Sequence, residues 1–105
     1  MTNQESMGSI RLPIFDGRKF VYWKIRTTAY LQSLGMDVWE IVEGRYTFPL
    51  EIPTDIAGKK QYETNAGAVN TLLGSLSKSE FVKVMELKSV KAIWDKIILS
   101  YEGDD

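Results

Sequence analysis

The chain has 105 residues, a formal net charge of −1, 44% hydrophobic and 26% charged residues. That length fits one domain with one core, and the balance is that of a globular chain, not a disordered one. It contains no Cys and no His, which excludes disulfides, thiolate metal sites and a Cys nucleophile, closes most routes to a catalytic triad or zinc centre, and fits a reducing, cytoplasmic setting.

Residues 1–10 are small and polar, and a flexible tail is expected there, ahead of a helical domain over 11–103. Pro13 favours an extended lead-in, and Asp16-Gly17 marks a turn in which Asp16 is placed to cap the following helix. The first helix is expected from Arg18 to Leu34. At 100° per residue, Phe20, Trp23, Thr27, Tyr30, Leu31 and Leu34 share one face. Val21, Tyr22, Ile25 and Ala29 fall elsewhere on the wheel, so this helix is apolar over more than one stripe. Either these four residues cover the third or fifth helix of the same chain, or they form a face for a partner. Gly35 ends the helix.

Met36 to Val42 reads as a short second helix with Trp39, Ile41 and Val42 as its apolar contacts. Arg45 to Pro53 holds Pro49 and Pro53 and is expected to be a loop, because its one strand-like stretch has no partner to pair with. Thr54 is placed to cap a third helix running to about Leu76, with Tyr62, Ala66, Val69, Leu73 and Leu76 as its apolar repeat. Gly58, Gly67 and Gly74 weaken it, by roughly 1 kcal/mol each relative to Ala, and either permit close helix approach or mark a break. Ser77 and Glu80 have capping-box spacing at the start of a fourth helix reaching about Leu87. Ser89 caps a fifth, with Val90, Ile93, Trp94, Ile97, Ile98 and Tyr101 in one stripe and Gly103 as its stop. The pattern predicts an all-α fold, a compact bundle of about five helices. Phe20, Trp23, Leu34, Leu73, Ile93, Trp94, Ile97 and Tyr101 are its expected core anchors.

No phosphate-binding glycine loop and no nucleophile elbow is present. No nucleophile–base pair can be named, so a non-enzymatic role without cofactor, metal or small-molecule substrate is expected. Asp37, Glu40 and Glu43 form an acidic series that reads as a solvated helix face, since Ca²⁺ loops want denser oxygen ligands. Arg18, Lys19, Lys24 and Arg26, near Tyr22, are candidates for weak RNA contact, but they do not form one tight stripe, and a near-neutral chain argues against strong nucleic-acid binding. No run of 18 apolar residues occurs, so no membrane span is expected.

The order of these features is similar to a known family. Leu12-Pro13-x-Phe15-Asp16-Gly17-x-x-Phe20-x-x-Trp23-Lys24-x-Arg26 resembles the opening of the Gag polyprotein of copia-type LTR retrotransposons. Leu31-Gln32-Ser33-Leu34-Gly35-Met36, Val38-Trp39-x-x-Val42-x-Gly44, Ala68 to Leu76, and Ser89-Val90-Lys91-Ala92-Ile93-Trp94-Asp95 with Tyr101-Glu102-Gly103 resemble its later segments. The resemblance covers residues 12–103. The family carries a Trp early in its third helix, where this chain has Tyr62. Its second capsid lobe and Cys-Cys-His-Cys zinc knuckle have no counterpart in these 105 residues. The resemblance therefore implies an N-terminal capsid lobe that self-associates in virus-like particles, with Val21, Tyr22, Ile25 and Ala29 as the candidate contact. The alternatives are a domesticated, Gag-derived host module that binds viral or retrotransposon proteins and modulates their assembly, and a weak RNA-binding domain.

Overall fold

The computed structural model describes residues 12–102. The expected tail over 1–10 and the expected stop at Gly103 lie outside the described residues. Five helices follow one another: α1 Phe20–Ser33, α2 Met36–Val42, α3 Ile56–Leu73, α4 Lys78–Val84 and α5 Val90–Glu102. The fold is all-α, as the pattern predicts, with no strand among the described residues. α3 packs on α2 and α5, α1 on α2, and α2 also on α5.

The chain enters the fold through a turn and not through a cap. The Asp16 carboxylate accepts the Arg18 backbone N–H at 3.1 Å, inside the turn itself. Gly17 (φ 98°) and Lys19 (φ 56°) both take left-handed conformations. Lys19 is thus the residue preceding α1, and no side chain caps that helix. The helix starts two residues later than the periodicity suggests, because a left-handed residue cannot sit inside a right-handed helix.

Just before this turn, Phe15 docks on the α3–α4 connection. Its N–H donates to Ser75 O at 2.8 Å and its carbonyl accepts from Ser77 N at 2.9 Å, a short parallel pairing. Its buried ring stacks on Trp23 at 4.8 Å and meets Tyr101 edge-on at 4.9 Å. The aromatic layer continues from Trp23 to Trp94 (5.8 Å) and from Trp94 to Trp39 (6.2 Å). Around it Leu31, Ile41, Val42, Leu72, Ile93 and Ile97 complete the core.

Of the expected anchors, Trp23, Ile93, Trp94 and Ile97 are buried, and Phe20, Leu73 and Tyr101 are half-buried against them. Leu34 is a correction: it is exposed. α1 ends at Ser33 and Leu34 is its C-cap, after which Gly35 (φ 134°) turns the chain away. The position therefore falls beyond the core-facing row of α1.

Three further boundaries differ. The N-cap of α3 is Asp55, not Thr54; its carboxylate accepts Gly58 N at 2.9 Å. α3 ends at Leu73 and α4 at Val84, each earlier than the apolar repeat extends. The buried row of α3 is Asn65, Ala68 and Leu72, one step round the helix from the repeat read in sequence, and Ala66 is exposed. That repeat ran along an adjacent, half-open face because Asn65, a polar residue, holds a core position. Its side chain donates to Lys88 O (3.0 Å) and accepts Val90 N (2.9 Å), bonds no apolar pattern reveals. Ser89 does cap α5, its Oγ accepting Ala92 N at 3.1 Å.

Gly67 lies inside α3, and a Cβ built on it meets nothing within 4 Å, so it serves no close approach. Gly67→Ala should therefore raise stability by about 0.5–1 kcal/mol. Urea unfolding at neutral pH checks this, and an unchanged or lower midpoint contradicts it.

Candidate protein interaction surface

The surface is set by the period of α1. Trp23, Thr27 and Leu31 stand four residues apart and are all buried. Val21, Ile25 and Ala29 stand four apart as well, two residues out of step. Two residues turn an α-helix by about 200°, so this second row faces away from the first. Val21 is 66% exposed, Ile25 63% and the neighbouring Tyr22 53%; Ala29 is exposed too. Of the two arrangements open at the sequence level, the structure has the outward one: these side chains cover no helix of their own chain.

Tyr22 is held in place by its neighbour one turn on. Arg26 Nη1 donates to the Tyr22 hydroxyl at 3.1 Å, and the guanidinium lies 5.8 Å from the ring centroid. A Tyr with an Arg over it, beside aliphatic side chains, has the composition found at the centre of protein interfaces.

The other basic residues of this segment are largely neutralised. Arg18 pairs with Asp16 at 2.8 Å, an exposed ion pair that holds the Asp16 carboxyl below its ordinary value. Lys24 reaches across to Glu102 of α5 at 2.6 Å and ties the two helices together. Among the described residues this leaves Lys19 and Arg26 of the four without a carboxylate partner, so the candidate RNA residues are brought together as two pairs and two single cations. Glu40 of the acidic series on α2 pairs with Arg45 at 3.6 Å. No group of three or more carboxylates is arranged to hold a metal ion among the described residues, nor is any helix there long and apolar enough to cross a membrane.

Between α4 and α5 sits a polar clamp that sequence spacing only half discloses. Ser77 Oγ accepts Glu80 N at 3.4 Å, one arm of the expected capping box. The return arm is absent, because Ser77 N already donates to Phe15 O. The buried Glu80 carboxylate accepts instead from the Tyr101 hydroxyl at 2.5 Å and from Lys83 Nζ at 3.1 Å. Gly17 is pressed against the pair; a Cβ there would lie 3.3 Å from both the Glu80 and Tyr101 oxygens. The clamp thus fastens α4, α5 and the entry turn to one another.

The chain matches no family model, no curated protein and no solved structure.

The clamp has a pH signature. Burial, then the bond to Glu80, pushes the Tyr101 hydroxyl above its ordinary value, and the bond to Glu80 does the same for the Lys83 ammonium. Both folded-state values are raised, so their contribution is complete below the unfolded values near 10 and is lost as pH rises through the folded ones. Tyr101→Phe should cost about 1–3 kcal/mol at pH 7, since it strips a bond from a buried carboxylate. The gap between native and variant should narrow above pH 10. Denaturant titrations at pH 7, 9 and 10.5 check this; a gap constant with pH would contradict the clamp.

Proposed function

We propose that this is a Gag-like capsid domain, equivalent to an N-terminal capsid lobe, whose work is to associate with further copies of itself in particle assembly. One observation carries the reading. α1 buries one row of side chains and still sets out a second, Val21, Ile25 and Ala29, with Tyr22 beside it, which the chain does not use internally. An exposed apolar cluster that the chain's own core does not use supports an interaction site in a folded chain. Self-association is the use that also fits the motif order of residues 12–103.

Association through this face takes the form of helix-on-helix packing, with the Tyr22–Arg26 pair near the centre and the aliphatic row around it. Truncating an aromatic or arginine anchor at such a centre costs about 2 kcal/mol or more. Since these side chains are exposed, substituting them leaves the core intact.

Sedimentation equilibrium from micromolar to millimolar protein tests the reading. The native chain should show concentration-dependent association, and the Val21→Asp/Ile25→Asp variant should associate clearly more weakly, with an unchanged helical spectrum. A native chain that is strictly monomeric at millimolar concentration, or a variant that associates as the native chain does, overturns it.

A further inference from the structure

A second apolar surface lies away from α1. It is a mostly apolar groove of about 380 Å³ along α3, lined by Ala66, Val69 and Leu73 with Asn65 and Asn70, and by Met85 and Lys88 after α4. This is the face that carries the apolar repeat of α3, spaced four, three and four residues from Tyr62. Also lining it, the Phe48 ring packs on Tyr62 at 5.7 Å. Lys88 is the one formal charge among the lining residues.

Phe48 also belongs to the loop between α2 and α3. Two residues on, Leu50 is fully exposed (104%), and Ile52 is 69% exposed. Between them stands Glu51, exposed, the one charge between Tyr46 and Thr54. Pro49 and Pro53 bracket the three. Each fixes its own φ, which lowers the ordering cost of any bound form. Among the described residues neither Glu51 nor Lys88 has an ion-pair partner.

The geometry points to a reciprocal dimer contact in which Leu50 and Ile52 of one copy enter the α3 groove of a second copy, with Glu51 meeting Lys88 at its rim. The occupant is argued from complementarity: an apolar groove carrying one positive charge, and a stiffened apolar loop carrying one negative charge, on the same molecule. Loop and groove adjoin at Phe48, so a two-fold axis beside that residue seats both loops at once. Such a contact is self-complementary and closes. This inference rests on the reading that the domain self-associates, but it uses a different surface from α1.

Charge exchange tests it. Glu51→Lys alone brings two positive charges together at both symmetry-related contacts, and Lys88→Glu alone brings two negative charges together there. Each variant should dimerise about three- to tenfold more weakly than the native chain at low salt, the scale of two exposed ion pairs turned repulsive. Mixing the two single variants gives a heterodimer in which one contact joins the two native residues and the other joins the two substituted ones, so both are attractive. The mixture should therefore form a heterodimer near native affinity, and the double variant should dimerise with itself equally well. Leu50→Ser/Ile52→Ser should weaken dimerisation at least tenfold. Glu51 is exposed and Lys88 lies at the groove's edge, so the charge changes leave the core untouched, and circular dichroism verifies that each variant is folded. Single variants that associate like the native chain, or a mixture no tighter than its components, overturn the loop–groove contact. If those results come with loss of association in the α1 variant, self-association through α1 stands alone; a native chain that never associates overturns both.

Discussion

The fold depends on one early residue docking on a late connection. Phe15 makes two backbone bonds to the turn between α3 and α4, sixty residues further on, while its ring fills the space between Trp23 and Tyr101. An extended segment has no hydrogen bonds of its own, and buried backbone groups left unpaired are costly. Pairing Phe15 with Ser75 and Ser77 removes that cost and fixes where α1 begins. Everything that follows in α1, including which row faces inward, inherits its phase from this point. Gly17 completes the arrangement: its positive φ strains any other residue, and a Cβ there would sit tightly, 3.3 Å from the Glu80 and Tyr101 oxygens.

Long-range order is secured by polar groups as well as by the core. Asn65 joins α3 to the start of α5, and Glu80 joins α4 to the end of α5. Each satisfies specific donors or acceptors at partly buried positions, so each favours one arrangement of short helices where apolar packing alone would tolerate several. The contrast within α1 is informative. Thr27 is fully buried, yet its hydroxyl has no partner among the described residues, and neither does the Trp23 indole N–H. That interior row joins its neighbours by packing, while Asn65 and Glu80 join theirs by bonds.

Helix existence and order were legible because the apolar period of α5 and the Gly and Pro punctuation are local signals. The inner face of α3 was not legible. Its core position is an asparagine, and the apolar repeat that dominates its sequence belongs to the groove. The capping-box spacing of Ser77 and Glu80 was visible, but Glu80's partner Tyr101 is 21 residues away, and no local pattern contains that. Leu34 failed as an anchor because helical projection assumes a helix that had already stopped. The outward row of α1 could be singled out from the wheel. Whether it was covered depended on which helices pack on α1, and that is settled only by tertiary contacts.

The two apolar surfaces bear differently on assembly. The row on α1 and the groove on α3 share no residue. A single self-complementary contact closes at a dimer and builds nothing larger. A particle needs each copy to touch at least two others through distinct faces. A domain this small can supply two only if it withholds apolar side chains from its own core in two places. On the proposed reading, the exposed row of α1, with the loop and groove beside Phe48, would be that kind of allocation.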